Sequence, residues 1–375
     1  MSPILRNIVA LLPFSLTLNI NEQPQFQEVE ASRYRLSKHY YGNQFFDGFD
    51  WKTFNDPTHG RVNYVSETEA RRKNLSYVSD HNTFVMRTDY HHRVEPGQRG
   101  RDSVRIESRD TFDNGIYILD VLHMPTGCGT WPAFWTSTTG HWPQGGEIDI
   151  IEGVNGKGTN QGTLHTTPGC TMPQNMDGTG QQLRTDCAVH GNDNQGCGVK
   201  DRRPDSFGPA FNKDQGGWYA MQRSNSGIKM WFWSRDSQVP PDVKTGPANV
   251  DPSKWGKPFA NFPSTHCNMR EHFGKHRIIA RFLLFAELFT LSLCGDWAGA
   301  VYNQQGCPET CEIHVNNSPA AFRDAYWKIR GLRVYTDTAR EFDYEGDGSE
   351  LEYEDEDDYS VEDEVVFYNE EYDQY

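Results

Sequence analysis

Three carboxylates fall within six residues of one another in Gly145-Gly146-Glu147-Ile148-Asp149-Ile150-Ile151-Glu152-Gly153. In a strand, side chains alternate faces, so Glu147 and Asp149 point the same way, and Ile148 and Ile150 point into the other face. Glu152 lies five positions after Glu147, an odd spacing that sends it into the apolar layer of a regular strand. One extra residue, a β-bulge around Ile150-Ile151, returns it to the face of the other two. Two carboxyls about 5–5.5 Å apart are what a retaining glycosidase uses, one as nucleophile and one as acid/base. Three this close repel one another, so at least one pKa rises and the trio titrates as a coupled set.

Taken alone, an acidic alternating strand is more often a solvated face. Its neighbours change the reading. Trp131, Trp135 and Trp142 lie just upstream, close enough in sequence to flank one groove, and His165 follows in the strand-like run Thr163-Leu164-His165-Thr166. Aromatic faces cover the apolar C–H faces of sugar rings. Most of the 10 Trp and 17 Tyr of the chain are nevertheless expected to fill a β core.

The elements that must position these groups read as β throughout. Runs such as Thr83–Arg87, Gly115–Val121 and Gly227–Trp233 alternate with Gly, Pro, Asn and Asp clusters. Many short strands separated by turn signals predict a sandwich or barrel. The 375 residues carry no fixed-period repeat and no long Pro- or Ser-rich linker, which favours one large domain with ragged ends.

The net charge of −16 is concentrated at one end. Glu341–Tyr375 holds 17 acidic residues and no Lys or Arg, which leaves 35 acidic against 36 basic residues elsewhere, about +1. A neutral body offers no electrostatic footprint for nucleic acid or anionic lipid and suits a neutral polymer. The tail, taken as 338–375, cannot bury a core and is expected to be disordered and solvated.

Eight cysteines with no CxxC pair fit disulfides in an oxidising compartment rather than a zinc site. Eight cysteines allow 105 pairings. Short loops are expected within Cys170–Cys187–Cys197 and within Cys294–Cys307–Cys311. The apolar stretch Ile8–Leu18 after Arg6 has the size of a secretory h-region and is too short for a membrane span, so residues 1–25 read as a leader. Asn74-Leu75-Ser76 and Asn316-Asn317-Ser318 are glycosylation sequons.

The bulged ExDxxE segment resembles the signature of glycoside hydrolase family 16. Phe45–Asp50, Asp56–Gly60, Trp131–Thr136 and Cys294–Gly299 are similar, in order, to the fungal endo-1,3(4)-β-glucanase or laminarinase-like branch, over roughly Tyr34 to Asp337. The resemblance implies an all-β jelly-roll sandwich of two antiparallel sheets with a concave glucan-binding cleft, the domain running over 30–337. It implies Glu147 as nucleophile, Glu152 as general acid/base and Asp149 as the residue that tunes the pair. By position Trp131, Trp135, Trp142 and His165 are substrate-binding cleft residues. The partner implied is a β-glucan polysaccharide, acted on by a secreted monomer without a cofactor. Some family members hold a structural Ca²⁺, but no EF-hand-like oxygen loop occurs here. Hydrolysis of 1,3- or mixed 1,3;1,4-β-glucan is the leading function; cell-wall transglycosylation and non-catalytic glucan binding are the alternatives.

The chain departs from the family in one place. The family passes almost directly from a strand like His276-Arg277-Ile278-Ile279 to the Cys-Gly-Asp-Trp motif, whereas here Ala280–Phe289 intervenes before Cys294. Extra residues inside a core strand must bulge out of the sheet or shift its register.

Overall fold

The computed structural model describes residues 34–138, 141–191, 193–277 and 289–338. The expected leader over 1–25, the acidic tail beyond Thr338 and the intervening residues 278–288 lie outside the described residues. The described residues up to Asp337 belong to one compact unit.

Two antiparallel sheets face each other. The order of the first runs through Asn249–Val250, Tyr34–Tyr40, Tyr326–Asp337, Gly115–His123, Gly217–Ser224, Gly227–Ser234 and Ala260–Pro263. The order of the second runs through Gln181–Gln182, Cys197–Lys200, Gln161–His165, Glu147–Glu152, Thr130–Thr138, Phe289–Leu293, Ile106–Ser108 and Phe49–Trp51. This is the expected jelly-roll sandwich. Neighbours in the order are mostly distant in sequence, so the sheets are closed by long-range pairing. One strand in from the edge formed by Asn249–Val250, Tyr34 lies across the ladder from Asp337.

Period-two alternation builds the core. Phe134, Ile148, Ile150, Ile151 and Leu164 of the second sheet are fully buried against Leu119, Val121, Tyr219, Met221, Met230 and Leu332 of the first. Each such side chain contributes about 1.5–3 kcal/mol of burial. Most aromatics are structural, as expected: Trp218, Trp231, Trp233 and Trp255 pack on the outer face of the first sheet with Ile116 and Ile118.

The four disulfides join Cys128–Cys307, Cys170–Cys267, Cys187–Cys197 and Cys294–Cys311. One bond forms within each cluster expected from the sequence. The other two span 179 and 97 residues, which sequence proximity does not reveal.

The ladder around the chain's departure from the family is informative. Arg277 pairs with Ser137, and Phe289 pairs with Phe134 of the same neighbouring strand. Two residues of that strand, Trp135 and Thr136, separate the two pairing points, whereas eleven residues, 278–288, join them. The link is therefore nine residues longer than the stretch of neighbouring strand between the pairing points. The register beyond them is intact: Leu291 and Leu293 are fully buried, and Thr290 and Ser292 face the opposite side.

Candidate active site

The tryptophan strand Thr130–Thr138 and the carboxylate strand Glu147–Glu152 form a hairpin through Gly145-Gly146. Both glycines have positive φ, 75° and 77°. A Cβ on Gly146 would sit 2.6 Å from the His272 carbonyl oxygen, so only glycine fits this turn. The hairpin starts the carboxylate strand with Glu147 opposite Ser137 and Asp149 opposite Trp135.

The next pairs are Phe134 with Ile151 and Ala133 with Glu152, so one residue, Ile150, is extra on the carboxylate strand. The ladder to Gln161–His165 shifts in the same place, between Asp149 and Glu152. This is the β-bulge that the odd Glu147–Glu152 spacing demands. It buries Ile150 and Ile151 together and returns Glu152 to the face of Glu147 and Asp149.

That face is the floor of a cleft of about 960 Å³. Glu147, Asp149, Glu152, Trp131, Trp135, Trp142 and His165 all line it, so every site residue expected from the sequence lies in one cavity. Each glutamate receives an indole N–H: Trp142 Nε1 donates to Glu147 Oε2 at 2.8 Å, and Trp131 Nε1 donates to Glu152 Oε1 at 3.0 Å. His165 Nε2 stands 3.1 Å from Asp149 Oδ2 and 3.8 Å from Glu147 Oε1. Trp135 Nε1 is buried and has no hydrogen-bond partner among the described residues.

Burial raises all three carboxyls: Glu147 well above its ordinary value, Asp149 to about 8 and Glu152 to about 8. The charge on Asp149 adds to the rise at both glutamates, while His165 and the indole donors oppose it. These shifts favour keeping a proton within the trio near neutral pH, as an acid catalyst requires. Glu147, Asp149 and His165 also bring ligand-type atoms within 4.8 Å of one another, a set that could hold a cation; they are the same groups that face the cleft floor.

Several cleft residues escaped the sequence reading. Trp297 packs edge-on to Trp131 with ring centroids 5.9 Å apart. Asp56, buried at the cleft wall, accepts from Thr58 and from the hydroxyl of Ser292. Trp297 and Asp56 lie in the Cys294–Gly299 and Asp56–Gly60 segments, which were the available signal. Ser292 and Thr290 reach the cleft only through the register of the Phe289–Leu293 strand.

A family profile described as XgeA-like, catalytic GH16 domain matches residues 49–335. A probable glycosidase of Schizosaccharomyces pombe is 43% identical over 310 residues, covering 82% of this chain and 70% of that protein. An endo-1,3(4)-β-glucanase of Arthroderma benhamiae is 39% identical over 317 residues, covering 82% and 66%. The chain thus spans about two thirds of the length of these relatives. Among solved structures, Laminarinase 16A of Phanerochaete chrysosporium, bound to β-glucans in donor and acceptor sites, is 44% identical. It has a TM-score of 0.77 and coverage of 81% and 99%. An elongating family 16 β-1,3-glucosyltransferase is 36% identical, with a TM-score of 0.73 and coverage of 81% and 100%.

Proposed function

Because the chain belongs to glycoside hydrolase family 16, we propose that it cleaves 1,3- or mixed 1,3;1,4-β-glucan internally, with retention, through a covalent glycosyl-enzyme. The observation that carries this reading is the bulged strand, which sets Glu147, Asp149 and Glu152 on the floor of a tryptophan-lined cleft.

Glu147 attacks the anomeric carbon while Glu152, protonated, delivers its proton to the leaving glycosidic oxygen. Glu152 then takes a proton from water as the water opens the glycosyl ester. Asp149 stands between the two in sequence and on the same face. Its carboxyl and the His165 ring modulate the charge on Glu147 as the covalent bond forms and breaks. Trp131, Trp135 and Trp142 offer apolar faces to glucose rings.

New reducing ends from laminarin, lichenan or barley glucan test the activity. Their absence with the purified protein overturns the proposal. Azide assigns the roles: Glu147→Ala should give an inverted glycosyl azide and Glu152→Ala a retained one. The likeness to an elongating glucosyltransferase favours a second reading, transfer to a sugar acceptor. Products longer than the substrate would establish it.

The catalytic domain is taken as residues 30–337. Four disulfides support a secreted setting, with residues 1–25 as the leader and the protein acting as a monomer. In that setting Asn74, exposed in the turn after a short helix, suits a glycan. Asn316 suits one less, since its side chain accepts from Arg61 Nε at 3.0 Å. Among the described residues no helix is long and apolar enough to cross a membrane.

A further inference from the structure

A bulge has a cost that the sheet itself cannot meet. Where one strand carries an extra residue, backbone groups lose their ladder partners, and a buried unpaired amide or carbonyl costs free energy. Here the bulge is fully buried, and one side chain meets both ends of it. Asn160 Oδ1 accepts from the Glu152 backbone N–H at 3.0 Å, and Asn160 Nδ2 donates to the Ile150 carbonyl at 2.9 Å. Asn160 is itself 0% exposed and immediately precedes Gln161, which pairs with Glu152.

Asn160 is in turn held from behind. Its backbone N–H donates to Ser206 Oγ at 3.0 Å, and its carbonyl accepts from the Asp201 N–H at 2.8 Å. Ser206 Oγ donates to the Arg203 carbonyl at 2.7 Å, and Arg203 is tied to Asp201 through Nε at 3.0 Å. The bulge, Asn160 and the 201–206 loop therefore form one hydrogen-bonded chain. Serine and alanine at position 160 lack the reach, and an aspartate lacks the donor for Ile150.

We infer that Asn160 is a positioning residue for Glu152: its side-chain amide closes the bulge and fixes where the Glu152 carboxyl meets the glycosidic oxygen. The inference rests on Glu152 being the acid/base. No sequence pattern points to Asn160, and it is not among the residues that line the cleft.

The test compares Asn160→Ala, Ser206→Ala and Glu152→Ala on two substrates. One is laminarin, whose sugar leaving group needs a proton. The other is a dinitrophenyl β-glycoside of a laminari-oligosaccharide, whose leaving group does not. For Asn160→Ala the expected loss is on the order of 100-fold on laminarin, within the range of general acid catalysis. The loss on the dinitrophenyl substrate should be under about tenfold, and azide should accelerate turnover with formation of the retained azide. Equal losses on both substrates, or none, would mean a role in stability only and overturn the inference. If Asn160→Ala does not fold, Ser206→Ala carries the test with a smaller leaving-group-dependent loss, and uniform behaviour there is equally fatal. Glu152→Ala separates the layers. If it shows no leaving-group dependence, the role of Glu152 fails and the inference with it. If it does and Asn160→Ala does not, the inference alone fails.

Discussion

The indole N–H of Trp142 lies 2.8 Å from Oε2 of Glu147 and donates to it. A hydrogen bond to a carboxylate favours its charged form, and Trp142 lowers the Glu147 pKa against the rise that burial imposes. Trp142→Phe keeps the ring and removes the donor. The acidic limb of the kcat/KM profile should move to higher pH, and the plateau should fall about ten- to a hundredfold, the worth of a hydrogen bond to a charged group. A pH–rate series on laminarin checks both.

The buried carboxyls tie stability to pH with a defined sign. Glu152 is raised from 4.5 to about 8, so between these values the folded protein holds a proton that the unfolded chain has released. Stability contributed by this group is fully present below the unfolded value and is lost as pH rises towards the folded one. Glu152→Gln removes the liability together with the activity. Its melting temperature relative to the parent should rise progressively from about pH 4.5 to 8, reaching a gain on the order of 1–3 kcal/mol, or a few degrees. Scanning calorimetry across that window is the measurement, and a flat difference would contradict the shift.

Cys294 and Cys311 bracket the segment that carries Asp296 and Trp297 to one end of the cleft. Replacing both by serine should cost about 3 kcal/mol, the value for a loop of this size. It should also raise KM more than it lowers kcat, because Trp297 packs on Trp131 rather than on the reacting carboxyls. Denaturant titration and Michaelis–Menten analysis read the two effects separately.

The link from Arg277 to Phe289 is nine residues longer than the Trp135–Thr136 stretch between their partners. A variant lacking nine residues there leaves two, matching Trp135 and Thr136 opposite. It should fold in the same register, keep its activity and gain up to about 1–2 kcal/mol from the shorter loop closure. Loss of folding on deletion would show that the extra residues contribute to the sheet.

The carboxylate constellation was legible because its information is local. Alternation places Glu147 and Asp149, and the odd step to Glu152 requires a bulge, found with Ile150 as its extra residue. The partner that closes the bulge was not legible. Asn160 acts on Glu152 through a hairpin and depends on Ser206, neither of which any period or motif announces. Long-range geometry also hid Ser292, which reaches the cleft only once its strand has found the Thr130–Thr138 edge. The Cys128–Cys307 bond was hidden for the same reason, with its 179-residue span. Trp297 was visible as part of a motif, but its edge-on contact with Trp131 needed the helical turn Gly295–Gly299 set against the Thr130–Thr138 strand.

The pairing of Tyr34 with Asp337 puts the start of the first described strand and the end of the last about 5 Å apart. Both strands belong to the sheet opposite the one that forms the cleft floor. The unit can therefore be grafted as a cassette: spliced into a surface loop of a host protein through two short joints, or rejoined there and opened elsewhere as a circular permutant. The joints at Tyr34 and Asp337 then lie on the sheet that does not carry Glu147 and Glu152.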